Sequence, residues 1–397
     1  MAGDYHTWRE TSALAAAGSH RVATKPGLLG SGGSDVATML LVEHAKAAAG
    51  ETVVQRHGAT GLFGAVAARA AARVLLADRS VLSVEAARRT LAANGATNAS
   101  VHLGHGARAL PPDVRADLVV IRIPTEKVAL HQLLWDAFAL LRVGGRCAIA
   151  GATNEGIRSA ATALETLFGS GRVLAKDRTH HVVVATKQRD EPASRALADN
   201  LFVVGDAFHE MTATLRGEEI TLFTRPGVFS WDHLDEATTI LADAMTVRPG
   251  ERVLDLGCGA GALGIVASRL SGGAPVTLLD ADAEAVRSAT RSVDVAGIEN
   301  ARVMTSDIAE VVLGETFEVV VTNPPFHVGK ATDLDVPLQF IEDAWSVLGD
   351  GGRLYLVANR TLPYERAIFQ RFGNIDTVHD GRRFKVLSAV RARLASL

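Results

Sequence analysis

Residues Glu251–Arg269 read ERVLDLGCGAGALGIVASR, and their pattern decides the fold. A short apolar run rich in β-formers, RVLDL, meets glycines at Gly257, Gly259 and Gly261. An apolar segment of helical length, GALGIVASRLSG, follows. A strand that turns through glycine into a helix is the first unit of a parallel α/β sheet. Outward from it the alternation continues. PVTLLDA is a second strand and AEAVRSATRSVDVAG a helix. ARVMTSD, FEVVVTN and GRLYLVAN are further strands, with PLQFIEDAWSVL as a helix between the last two. Strands that are apolar on both faces, alternating with helices, make a doubly wound α/β sheet. All-β and all-α architectures do not fit this alternation.

The same stretch occurs twice. ETVVQRHGATGLFGAVAAR begins at Glu51, aligned without a gap at an offset of 200. TKPGLLGSGGSDVAT from Thr24 matches TRPGVFSWDHLDEAT from Thr224 at the same offset. VLLAD matches VTLLD, ADLVVIRIP matches FEVVVTNPP, and RVGGRCAIAGATN matches GDGGRLYLVANRT, with the offset drifting by a few residues. A period of this size means duplicated domains and not a solenoid. The polar stretch TKQRDEPASR, Thr186 to Arg195, has linker composition and places the domains at 1–190 and 195–397.

Composition agrees with two globular domains. The 397 residues are 48% hydrophobic and 21% charged, and each half is long enough to bury a core. No apolar run approaches the roughly 18 residues of a membrane span. The start does not read as a signal peptide. Two cysteines far apart, Cys147 and Cys258, make neither a disulfide framework nor a zinc site. A cytoplasmic, monomeric chain without metal is the expectation. The net charge of −3 hides an asymmetry: residues 1–195 carry +7 and residues 196–397 carry −10. The halves are expected to divide the labour.

The Gly-rich turn alone is weak evidence, because dinucleotide sites and tightly packed turns use the same glycines. The acids sharpen it. Asp255 stands two residues before Gly257, where it would repel a pyrophosphate but suit a cation. Asp280 closes the second strand, where a ribose-binding acid is expected, though alone it could cap a helix. Asp307 ends the third strand. A ligand with a cationic amino-acid end and a ribose, but no phosphate, fits this set. S-adenosylmethionine is such a ligand.

At the end of the fourth strand stand Asn323, Pro324, Pro325 and Phe326. Two prolines stop the ladder and stiffen the chain. An exocyclic amino group on a base or amide is a poor nucleophile, since its lone pair is delocalised. The Asn323 side-chain oxygen and the Pro324 carbonyl can grip its two N–H bonds and favour a pyramidal nitrogen. Phe326 can stack on a flat substrate. Adenine N6, guanine N2 and a glutamine amide would all suit this grip.

DLGCGAG with its downstream acids resembles the cofactor site of class I S-adenosylmethionine-dependent methyltransferases. The resemblance implies that Gly257, Gly259 and Gly261 carry the methionine end with Asp255. It implies that Asp280, with Ala281 beside it, takes the ribose and that Asp307 lies near the adenine. NPPF resembles the motif of methyltransferases acting on planar amino nitrogens. The first copy keeps the frame and loses this chemistry: Gln55 replaces Asp255, His57 replaces Gly257, Ala59 replaces Gly259 and Arg122 replaces Asn323. It reads as a degenerate methyltransferase domain whose positive charge could hold RNA, with Arg56 and Arg122 as candidate phosphate contacts, or as a scaffold.

A degenerate domain ahead of an active one, both Rossmann-like methyltransferase domains, resembles bacterial ribosomal RNA guanine-N2 methyltransferases. PGVFSWDHLDEAT, NPPFHVGK, VANRTLPYE and GRRFKVL carry the resemblance, which covers nearly the whole chain and favours the small-subunit type. It implies methyl transfer to guanine N2 in 16S ribosomal RNA, with small ribosomal subunits as partner. It also puts Phe229 and Ser230 beside cofactor or base. Large-subunit guanine-N2 transfer, glutamine N5 transfer and a non-catalytic RNA-binding assembly role are the alternatives.

Overall fold

A computed structural model describes residues 5–15, 18–30, 35–325, 327–328, 331–332 and 334–392. Phe326 lies outside the described residues. The chain forms two compact units that part between Ala207 and Phe208.

That division lies beyond the polar stretch expected to be the linker. Lys187, inside that stretch, is buried, donates to the Leu141 carbonyl at 2.9 Å and lies 4.7 Å above the Phe138 ring. Leu197 and Val203 then join the first core, and Arg108 pairs with Asp206. A polar surface strap has linker composition; a few apolar anchors keep it with the first unit.

Both units follow one plan. An antiparallel hairpin comes first, Arg9–Ala15 with Gly18–Thr24, and His209–Leu215 with Glu218–Thr224. The second hairpin turns on Arg216 and Gly217, both at positive φ (52° and 79°), as a two-residue hairpin loop requires. A helix follows, Val36–His44 or Glu236–Ala244, capped by Asp35 or Asp235.

Each unit then builds a seven-stranded sheet. In the second the spatial order is Ala301–Thr305, Val276–Asp280, Val253–Leu256, Phe317–Thr322, Leu348–Asn359, Phe384–Val390 and Asp376–Asp380. The first five are parallel, and Phe384–Val390 is antiparallel to both neighbours. The first unit repeats the order from Ala99–Leu103 through Arg73–Asp78, Thr52–Arg56 and Ala116–Arg122 to Leu141–Ala152, His180–Thr186 and Arg172–Asp177.

The sheets are apolar on both faces because helices cover both. In the first unit Val53, Val74 and Leu118 pack with Leu40 and Leu41, while their neighbours Val54, Leu75 and Val119 pack with Leu134 and Leu164 on the other side. Truncating one of these to alanine costs about 2–5 kcal/mol. Among the described residues no helix is long and apolar enough to cross a membrane. In the second unit the strand order reverses between Val253–Leu256 and Phe317–Thr322. Doubly wound sheets bind ligands beyond the strand ends at this point.

Candidate active site

The second unit gathers its predicted residues at that carboxyl edge. Thr322, fully buried, donates from Oγ1 to the Leu256 carbonyl at 2.7 Å and ties the ends of the first and fourth strands together. Ser306 donates its N–H to the Asp280 carbonyl at 2.9 Å and ties the second end to the third.

Gly257, Gly259 and Gly261 take φ of 79°, 53° and 88°. Their surroundings differ. A Cβ on Gly259 would meet nothing within 4 Å, so space stays open above the turn. One on Gly261 would come within 3.2 Å of Ala289, so this glycine also serves helix packing. Gly259 donates its N–H to Asp280 Oδ2 at 2.9 Å, while Oδ1 takes the Asp282 N–H at 2.9 Å. Ala281 sits half-buried between those two acids.

Asp255 is fully buried. Its Oδ2 accepts from the Gly264 N–H at 2.8 Å, and its Oδ1 has no hydrogen-bond partner. Burial pushes its pKa up to about 7; the Gly264 N–H works against that and the charge of Asp280 adds to it. The Cys258 thiol is pushed up, by burial first and then by Asp280 and Asp255, so no thiolate forms there.

Asp307 is buried just past the third strand. Next to it, Ile308 is buried at φ 53°, a left-handed conformation that a β-branched residue adopts only under constraint. Phe229 is 66% exposed, held out by a loop whose Val228 is buried and whose Ser230 has φ 49°.

Asn323 is half-buried, Pro324 buried and Pro325 exposed. The Asn323 Nδ2 donates to Asp235 Oδ2 at 3.0 Å and to Thr238 Oγ1 at 3.2 Å. Asp235 and Thr238, which hold Asn323, and Ile308, next to Asp307, lie at this candidate site although the sequence reading did not single them out. The first two carried a signal: Asp-x-Ala-Thr recurs at Asp35 and Asp235.

The first unit shows the same positions filled from within. Gln55 accepts from the Gly64 N–H at 2.7 Å and donates to the Gly58 carbonyl at 3.2 Å. His57 and Ala59 sit at φ 52° and 47°, and His57 Nδ1 lies 2.7 Å from the Arg122 carbonyl. The crevice beside Gln55, Ala59 and Asp78 has about 10 Å³, room for one water. Arg122 pairs with Asp35 at 3.1 Å and Glu155 at 2.7 Å. Arg56 and Arg122 are 2% and 4% exposed, so neither reaches an RNA phosphate, contrary to the sequence expectation. Arg122 turns inward to the acids left at its strand end, whereas Nε and Nη1 of Arg56 are buried without a hydrogen-bond partner.

Comparison with known proteins identifies the family. The methyltransferase small domain family matches the chain twice, over residues 19–184 and 219–388. The ribosomal RNA small subunit methyltransferase C of Hahella chejuensis is 33% identical over 71% of this chain and 80% of its own length. That of Erwinia tasmaniensis is 32% identical over 70% and 77%. A solved structure of a T. thermophilus 16S rRNA N2 methyltransferase, in complex with AdoMet and guanosine, superposes with a TM-score of 0.81. It is 29% identical, over 98% of this chain and 99% of that one. The chain belongs to the methyltransferase small domain family, within the group of the ribosomal RNA small subunit methyltransferase C proteins.

Proposed function

We propose that the second unit transfers the methyl group of S-adenosylmethionine to N2 of a guanine in 16S ribosomal RNA. The observation that carries this is Asn323. Its amide N–H bonds are consumed by Asp235 and Thr238, which leaves Oδ1 as the acceptor it can offer a substrate amino group at the carboxyl edge of the sheet.

The residues at that edge fit the cofactor. The sealed, unpartnered Oδ1 of Asp255 and the neighbouring Asp280 make the turn negative, which favours a ligand with a cationic amino end. The open space above Gly259 admits it against the backbone, Asp280 takes ribose hydroxyls and Asp307 with Ile308 borders the base. When bound, S-adenosylmethionine supplies an electrophilic methyl on a sulfonium.

The chain's own part is to hold the amino group. Asn323 Oδ1 and the Pro324 carbonyl accept its two N–H bonds, draw it out of conjugation and fix its direction. No base is needed before attack, since the nitrogen sheds a proton once it carries the methyl. The target base must be unpaired or flipped out to be gripped in this way. Phe229 offers an exposed ring for stacking.

The first unit, without a site, holds RNA through exposed cations such as Arg172 and Lys176 on its edge strand and Arg178 in the turn after it. Reversing Lys176 and Arg178 would lower the salt dependence of RNA binding. For the second unit, digestion of 16S RNA after incubation with labelled S-adenosylmethionine would give labelled N2-methylguanosine; label in another nucleoside, or none, would exclude the proposal.

A further inference from the structure

We infer that Asp235 is a positioning residue for methyl transfer: it fixes the orientation of the Asn323 amide so that Oδ1, and not the NH2 group, meets the substrate. This rests on the methyl-transfer reading above and adds a residue that acts through Asn323.

One oxygen of Asp235 does all the local work. Its Oδ2 accepts the Thr238 N–H at 2.9 Å and the Thr238 hydroxyl at 3.2 Å. The same oxygen accepts the Asn323 amide at 3.0 Å. The Thr238 hydroxyl hydrogen is thereby aimed at Asp235, and a lone pair of Oγ1 is left to accept the second Asn323 N–H at 3.2 Å. Turning the amide over would set its oxygen against a carboxylate oxygen and against a hydroxyl whose hydrogen points elsewhere. An anionic acceptor makes that reversal costly. An asparagine that grips an amino nucleophile needs this discrimination, because its reversed form presents donors to donors.

The first copy separates the two tasks of this aspartate. Asp35 caps its helix in the same way, taking the Thr38 N–H at 2.8 Å and hydroxyl at 2.7 Å. It also holds the residue at the end of the fourth strand, but there that residue is Arg122, an obligate donor with no second orientation to choose. The anchor outlasted the chemistry in that copy. In the second copy the same anchor acts on a side chain with two faces.

The test separates capping from positioning. Asparagine and serine cap helices about as well as aspartate, so Asp235→Asn and Asp235→Ser should keep the fold. Neither offers an anion to Asn323. Melting temperature and the dissociation constant for S-adenosylmethionine should match wild type. The kcat for small-subunit RNA should fall about 10–100-fold, in line with misplacement of a reacting group, and KM should change little. A readout independent of turnover is the Asn323 side-chain amide signal in NMR. Its two protons should be shifted by the Asp235 and Thr238 hydrogen bonds and slow to exchange with water in wild type, and should exchange like those of a free amide in Asp235→Asn. Wild-type kcat in Asp235→Asn, or an unchanged amide signal, would overturn the inference. Wild-type protein that makes no N2-methylguanosine would instead overturn the functional reading, and the amide signal would still decide the role of Asp235.

Discussion

Gln55 and Asp255 occupy the same point in two copies of one fold, and each accepts the backbone N–H nine residues further on, from Gly64 at 2.7 Å and from Gly264 at 2.8 Å. The difference lies in what remains. The Gln55 amide spends its other end on the Gly58 carbonyl, so the first turn closes on itself. Asp255 has a second oxygen with no partner and a charge it can hardly carry in isolation. One copy satisfies this position from within; the other leaves a carboxylate oxygen without a partner.

That relationship predicts a pH effect with a definite sign. Burial raises the Asp255 pKa to about 7, so the folded protein keeps a proton that the unfolded chain gives up near the usual carboxylate value. The resulting stability is full below about pH 4 and is lost as pH rises toward about 7. Asp255→Asn should therefore stabilise the free protein against unfolding at pH 8, by no more than about 4 kcal/mol. S-adenosylmethionine should bind wild type more tightly at pH 8 than at pH 6, because a cationic ligand favours the ionised form. The substitution should weaken binding and flatten this profile. Parallel profiles in calorimetric titrations of the two proteins would refute the assignment.

Asn323→Ala should abolish methyl transfer, by about 100-fold or more, while leaving cofactor affinity within a factor of two, as expected for a group acting on the transition state. Equilibrium dialysis beside a turnover assay measures both quantities. Equal losses in the two would move Asn323 from substrate to cofactor.

In the first unit, Arg122→Ala should act on stability. Burial alone would raise the carboxyls of Asp35 and Glu155, but the charge and hydrogen bonds of Arg122 outweigh it and hold both below the usual range. Removing the guanidinium strands two acids that are each only 13% exposed. Breaking such a buried cluster costs about 3–5 kcal/mol. Urea denaturation should show that loss, with the salt dependence of RNA binding unchanged in the folded protein. A reduced salt slope at wild-type stability would restore Arg122 as a phosphate contact.

Phe229→Ala should leave stability within about 0.5 kcal/mol, since the ring packs against little. If the ring stacks on the target base or its neighbour, KM for the RNA should rise by the equivalent of about 1–3 kcal/mol. An unchanged KM with weaker cofactor binding would assign Phe229 to the cofactor instead.

The parallel sheets and the duplication were legible because strand, glycine turn and helix recur at a constant offset. The acids and Asn323 were legible because their residue types are chemically costly at strand ends. What stayed hidden depended on contacts between distant segments. Asp235 lies 88 residues from Asn323, and nothing local marks it as more than a helix cap. The inward turn of Arg56 and Arg122 was equally invisible, since charge counts carry no direction. The packing of the strap was hidden as well: Leu197 and Val203, two apolar anchors in a polar stretch, keep it with the first core.

The most direct measurement supplies labelled S-adenosylmethionine to small ribosomal subunits, large subunits and release factors side by side, with wild type and Asn323→Ala, and resolves the products. N2-methylguanosine in 16S RNA from wild type alone is the predicted result. Label confined to large subunits or to a glutamine, or no label from wild type on any of the three, would contradict the account.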